Sequence, residues 1–174
     1  MNDHNGSKPN GDGRPTDQAG RKSGWIEKIV SGGQTGVDRA ALDAAFSLGI
    51  EHGGWCPKGR MAEDGTIPLR YQLQELDSPQ YSDRTKRNVL DSDGTLILHV
   101  SPPQGGTLLT LNFALQNSKP CLKVRLGRAV STERIIQWID RNKIRVLNIA
   151  GPRASKEPEA YQQAYEFLLS VFQD

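Results

Sequence analysis

The stretch Trp25-Ile26-Glu27-Lys28-Ile29-Val30-Ser31-Gly32-Gly33-Gln34-Thr35-Gly36 decides how the chain is read. Its first six residues have the apolar, β-branched character of a short strand, and the next six are a glycine-rich turn. Immediately after it, Val37, Ala40, Ala41, Ala44, Ala45 and Leu48 fall at i, i+3, i+4, i+7, i+8 and i+11. That spacing predicts one apolar helical face, and Gly49 closes it. The same strand, loop and helix cycle recurs downstream. Thr95–Val100 reads as a strand, 101–106 as a loop and 107–117 as a helix; Cys121–Val124 is a short strand before a helix over 131–141, with Ile135, Ile136 and Ile139 inward. Arg145–Ile149 then leads through Ala150-Gly151-Pro152-Arg153 into a helix whose apolar face is Tyr161, Ala164, Tyr165, Leu168, Val171 and Phe172. Strands alternating with helices of this length indicate right-handed βαβ units. The expected fold is a Rossmann-like three-layer α/β sandwich with a mainly parallel sheet of about five strands.

Outward from this frame the pattern weakens. Residues 52–93 are irregular: a short strand near His52–Trp55, a long polar loop, a strand at Tyr71–Leu76 and a helix around Asp83–Leu90. Loops of that length inside one domain are usually functional or mobile. Residues 1–24 contain only Met1 and Ala19 as apolar residues, so they are expected to be a disordered tail ahead of a ligand-binding domain at 25–174. They also lack the apolar core of a signal peptide, and no apolar run approaches a membrane span of about 20 residues. A net charge of +2 with no basic stripe argues against nucleic acid. Two cysteines, Cys56 and Cys121, suit a reducing cytoplasm, and neither has the companions of a zinc site.

Three loops place glycine near a predicted helix start on one edge of the sheet: Gly32-Gly33 with Gly36, Gly105-Gly106, and Gly151-Pro152-Arg153. Such glycines either make a tight turn or let backbone N–H groups reach an anion at a helix N-terminus. The first loop is followed by Asp38, and the third by Glu157 and Glu159, carboxylates expected to complement their own helix dipoles. Gly105-Gly106-Thr107 has no acid in its first turn and two threonine hydroxyls, which makes it the favoured phosphate cradle. Asp38 is either an ordinary first-turn acid or an acceptor for ligand hydroxyls or a metal. Lys58, Arg60, Glu63 and Asp64 read first as charges on a solvated loop, and Arg84, Lys86 and Arg87 as a helix face or anion donors. His99, inside a strand, reads as packed, and no nucleophile has a convincing partner.

The run Gly32-Gly33-Gln34-Thr35-Gly36-Val37-Asp38-Arg39-Ala40-Ala41-Leu42-Asp43 is more specific than a glycine loop. With Cys56-Pro57-Lys58-Gly59-Arg60, Ala62-Glu63-Asp64-Gly65, Tyr81-Ser82-Asp83-Arg84-Thr85, Gly105-Gly106-Thr107 and Ala150-Gly151-Pro152-Arg153, it resembles the putative molybdenum carrier family over about residues 26–172. That family looks like a circularly permuted branch of the SLOG superfamily, related to the lysine-decarboxylase-like phosphoribohydrolases. The resemblance implies a ligand seat over Gly32, Gly33, Gln34, Thr35, Gly36, Asp38 and Arg39, over Gly105, Gly106 and Thr107, and over Gly151, Pro152 and Arg153, with Arg60 and Glu63 nearby. It implies a small phosphorylated ligand, molybdenum cofactor (molybdopterin) or a nucleotide. The protein is expected to be a cytoplasmic homo-oligomer, with no nucleic acid, membrane or metal site. In the related hydrolases an acid stands three residues beyond the glycine-loop threonine; here Thr110 occupies that place and cannot act as a carboxylate base. A carrier is therefore expected ahead of a hydrolase or sensor of a nucleotide-derived metabolite assisted by Asp38, Glu63 or Asp64.

Overall fold

In the computed structural model, residues 26–173 are described; the expected tail at 1–24 lies outside them. The chain runs β1 (Lys28–Val30), α1 (Val37–Leu48), β2 (Glu51–Gly53) and β3 (Trp55–Cys56), then a 3-10 turn (Lys58–Arg60), β4 (Met61–Ala62), β5 (Gly65–Thr66) and β6 (Gln74–Glu75). It continues α2 (Tyr81–Leu90), β7 (Gly94–His99), α3 (Gly105–Gln116), β8 (Cys121–Arg125), α4 (Thr132–Arg141), β9 (Val146–Ala150) and α5 (Ala160–Phe172).

Five strands form one parallel sheet in the order β2-β1-β9-β7-β8, as the alternation predicts. Strand β7 is paired on both sides, by β9 and β8, and Leu96, Ile97 and Leu98 are fully buried. This is why it reads as a continuous apolar run rather than an alternation. Helices α1, α5 and α4 pack side by side, while α2 and α3 pack against each other. The main core lies between the first group and the sheet, with Ala40, Ala44, Ile135, Ile139, Ala164 and Leu168 all enclosed. Small residues on α1 let it approach α5 closely. Gly49 ends α1 at φ +67°, a left-handed cap whose N–H reaches the carbonyls of Ala45 and Phe46.

The irregular segment builds two small sheets, β3 with β6 and β4 with β5. The strand expected over Tyr71–Leu76 shortens to Gln74–Glu75, because Tyr71 and Leu73 instead fill a second apolar cluster with Leu42, Cys56, Ala62 and Ile67. Among the described residues, no helix is long and apolar enough to cross a membrane.

Candidate functional site

The chain leaves β1 toward one edge of the sheet and β7 toward the other, with β9 between them. The loops after these three strands therefore part company at the carboxyl ends of the strands, the place where open α/β sheets take ligands. A cleft of about 480 Å³ opens there, within the range for small-molecule sites. It is bordered by Gly32, Gln34 and Asp38 from the first loop, by Gly105, Gly106 and Thr107 from the start of α3, and by Gly151, Pro152 and Arg153 beyond β9.

One wall is an ion pair. Arg84 of α2 places Nη1 2.9 Å from Asp38 Oδ2, and the same oxygen accepts the Gln34 backbone N–H at 3.3 Å. Asp38 is thus more than a first-turn acid: it holds an arginine across the end of the sheet, with only 6% of its side chain exposed. A Cβ at Gly32 would stand 1.3 Å from Arg84 Nη1, so any side chain there displaces the guanidinium from its place beside Asp38. Gln34 Oε1 accepts the N–H groups of Thr35 and Glu63, each at 3.0 Å. This fixes the amide orientation and leaves Nε2 as a buried donor with no partner, as is Arg84 Nε.

The opposite wall is α3. The helix begins at Gly105, two residues earlier than the periodicity predicts, so both glycines lie in its first turn. No side chain caps it and no acid occupies that turn. At Gly105 and Gly106 an added Cβ would meet nothing within 4 Å. Gly105 holds φ +51°, a backbone that favours glycine, whereas neither packing nor conformation gives a reason for Gly106; both residues are exposed, so the helix start is open to an approaching group. Thr107 is buried beside them, and Thr110 donates its hydroxyl to the Gly106 carbonyl at 2.9 Å.

The third loop differs from expectation. Helix α5 starts only at Ala160, so Gly151-Pro152-Arg153 does not open a helix. Gly151 is a close-packing glycine, with a Cβ there falling 2.4 Å from the Leu98 carbonyl. Glu157 does not serve the dipole of α5: its carboxylate accepts the N–H groups of Val100 and Ser101 at 3.1 and 2.9 Å, tying this loop to the one before α3. Arg153 and Lys156 supply cations at the rim. His99, at the end of β7, also borders the cleft and sets Nδ1 2.9 Å from the Ser101 carbonyl. A carbonyl can only accept, so Nδ1 carries the proton of this contact.

The remaining expected residues stand behind the cleft rather than on its surface. Arg60 is 8% exposed and spends its guanidinium on the carbonyls of Ile67, Pro68, Tyr71 and Leu73, at 2.9–3.1 Å. Glu63 accepts from the Thr35 hydroxyl and from the Ser155 N–H and hydroxyl at 3.0 and 2.5 Å. Burial would raise its carboxyl, but hydrogen bonds from Ser155 and Thr35, with Arg153 nearby, outweigh that and hold it below the usual carboxylate value. Arg39 bonds the Gly33 carbonyl at 2.8 Å and grips Asp64 with both terminal nitrogens. Gly33 and Gly36 both sit at φ +74°; Cβ atoms there would meet the Leu73 side chain at 2.4 Å and the Pro152 carbonyl at 2.3 Å. These residues lock the loops together.

Burial pushes the Cys121 thiol up to about 11 and raises that of Cys56, so neither is a ready thiolate. Among the described residues, no group of three or more His, Cys, Asp or Glu side chains is placed to hold a metal ion.

The circularly permutated YpsA SLOG family matches residues 29–172. A solved structure described as a putative molybdenum carrier protein, from Syntrophus aciditrophicus SB, is 53% identical. It superposes with a TM-score of 0.82, the match covering 86% of this chain and 96% of that one. No curated protein matches. With nearly all of the described chain matched, this protein belongs to the circularly permutated YpsA SLOG family.

Proposed function

We propose that this protein binds and carries a small phosphorylated ligand, a nucleotide or the phosphate-bearing pterin of molybdenum cofactor, in the cleft between Asp38 and the start of α3. One observation carries the reading: Gly105 and Gly106 open an uncapped helix and have free space where side chains would stand. Backbone amides at a helix N-terminus suit a phosphate, and Arg153 and Lys156 add positive charge at the rim. The described name of the Syntrophus relative supports molybdenum cofactor as the ligand. The donors at the cleft suit its phosphate, and among the described residues no group of three or more His, Cys, Asp or Glu side chains adds ligands for the metal itself.

Carriage is favoured over hydrolysis by the state of the acids. Asp38 and Glu157 do border the same cleft, but Asp38 is paired with Arg84 and Glu157 is bonded to two backbone amides. Thr110, at the position of the related hydrolases' acid, is turned into α3. Neither of the two carboxylates that border the cleft among the described residues is left free as a general base. We read the protein as cytoplasmic and assembled as a homo-oligomer.

Calorimetric titration with molybdenum cofactor and a panel of nucleotides tests this. Gly106→Asp puts a carboxylate into the cradle and should weaken binding at least ~100-fold, the loss of two charge-assisted bonds. Thr107→Val removes one hydroxyl and should cost about tenfold. A parent protein that binds nothing in the panel, or a Gly106→Asp variant that binds like the parent, would sink the reading.

A further inference from the structure

None of the described residues bordering the cleft is Phe, Tyr, Trp, Leu, Ile, Val or Met. Its one aromatic ring is the imidazole of His99, tied through Nδ1 to the Ser101 carbonyl. Small-molecule pockets are ordinarily lined by apolar and aromatic side chains, and a base ordinarily gains affinity by stacking on an aromatic or guanidinium face. Arg84 has little face to spare for this. A Cβ at Gly32 would fall 2.4 Å from its Cζ, the centre of the Tyr81 ring lies 5.9 Å from the same atom, and only 14% of the side chain is exposed.

The buried amides at the cleft are equally unsuited to reading the edge of a base, which takes a donor and an acceptor offered together. Asn88 gives Nδ2 to the Trp55 carbonyl at 3.0 Å and takes the Trp55 N–H on Oδ1 at 2.8 Å. Asn148 gives Nδ2 to Thr95 Oγ1 at 3.2 Å, and Gln34 spends Oε1 on two N–H groups. What remains is a set of neutral groups that each act in one direction. Gln34 Nε2 only donates, and it has no partner within the chain. Thr85 and Thr110 give their hydrogens to the Tyr81 and Gly106 carbonyls, at 2.8 and 2.9 Å, so their oxygens are left to accept. A ligand hydroxyl answers both kinds, because it donates and accepts.

We propose that the cleft recognises a phosphorylated polyol, with its phosphate at the start of α3 and its hydroxyls on Gln34 Nε2 and the Thr85 and Thr110 oxygens. A base or pterin attached to that polyol adds no affinity. The proposal rests on the carriage reading above and names the part of the ligand that is held.

Phosphorus NMR titration of the full chain with inorganic phosphate, ribose 5-phosphate, and adenosine and guanosine monophosphates tests this. Ribose 5-phosphate should bind at least ~10-fold tighter than inorganic phosphate, the gain of two hydroxyl contacts. The two nucleotides should stay within about threefold of ribose 5-phosphate and of each other. Gln34→Leu and Thr85→Val should each cost ribose 5-phosphate about fivefold, one hydrogen bond, and leave inorganic phosphate unchanged. Thr85→Val keeps the side-chain shape and serves alone if Gln34→Leu folds poorly. Binding of neither these four compounds nor molybdenum cofactor overturns this proposal and the carriage reading together. A nucleotide or molybdenum cofactor that binds more than about tenfold tighter than ribose 5-phosphate overturns this proposal alone. So does ribose 5-phosphate binding no tighter than inorganic phosphate, or a Thr85→Val variant that weakens both equally.

Discussion

Gly32 and Gly106 are the same letter in the sequence and opposite cases in the fold. At Gly32 a Cβ would collide with Arg84, whose ion pair with Asp38 is almost enclosed. Gly32→Ala should therefore expel the guanidinium and leave Asp38 short of its partner. Breaking a buried pair costs roughly 3 kcal/mol, which in a domain this size lowers the melting temperature by about 10 °C. At Gly106 the space is empty and φ is not positive. Gly106→Ala should leave stability unchanged or raise it by roughly 0.5–1 kcal/mol, the helix propensity gained. The same methyl stands over the proposed cradle, so ligand affinity should fall while the urea midpoint does not. If Gly106→Ala lowers the midpoint as Gly32→Ala does, both glycines are merely structural. This contrast shows what was legible at the residue scale. Spacing and resemblance found the loops, and nine of their residues do border the cleft: Gly32, Gln34, Asp38, Gly105, Gly106, Thr107, Gly151, Pro152 and Arg153. Neither could separate a glycine demanded by a neighbouring side chain from one with open space above it, because that depends on contacts between distant elements. Lys156 and His99 went unrecognised for the same reason. Arg84 was visible only as one of two readings, a face charge or an anion donor.

Elements whose signal is local were legible, and elements made by one long-range side chain were not. The α1 stripe, the β7 apolar run and the Ser131 cap of α4, which accepts the Arg134 N–H at 3.3 Å, are all written in neighbouring residues. The segment from Pro57 to Leu76 has little regular structure, only a 3-10 turn and three two-residue strands. It is gathered around Arg60, which holds φ +53° and bonds four carbonyls of the loop that follows it. From sequence this arginine looks like a solvated charge or a ligand contact. Its burial follows from where the chain returns over Ile67, Tyr71 and Leu73. The planar fork matters here, since a lysine ammonium cannot reach carbonyls spread along such an arc. Arg60→Met should strand several buried carbonyls at about 1–3 kcal/mol each and open the loop to limited proteolysis between 61 and 76. The parallel sheet should persist, seen as retained far-ultraviolet circular dichroism. Arg60→Lys should recover only a minority of the loss. Protection equal to the parent in either variant would show that the small apolar cluster closes the loop unaided.

At the scale of the whole molecule, the number and direction of the main strands followed from the βαβ pattern, but their lateral order did not. Hydrophobic alternation specifies which strands are buried, whereas the seating of β9 between β1 and β7 depends on crossovers that periodicity does not encode. Helices α1 and α5 and the irregular segment are joined by a polar knot equally invisible in sequence. Asp43 of α1 accepts the hydroxyl of Tyr71 at 2.9 Å and that of Tyr161 of α5 at 2.8 Å, one on each carboxylate oxygen. Burial, reinforced by the hydrogen bond to Asp43 and its negative charge, pushes Tyr161 up to about 12 and raises Tyr71 as well. In the unfolded chain a tyrosine ionises near 10, so between pH 10 and about 12 the folded state holds protons that the unfolded state has released. Stability is then fully present below pH 10 and is lost as pH rises toward the folded value. The Cys121 thiol, pushed up to about 11 by burial, should start the decline somewhat earlier. Tyr161→Phe should be less stable at pH 7, because Asp43 loses a donor, yet its stability should fall less steeply above pH 10. The measurement is a series of denaturant melts from pH 8 to about 12, parent against variant. Equal slopes in the two proteins would mean that Asp43 does not hold the Tyr161 proton, and that the knot between α1 and α5 is looser than its distances imply.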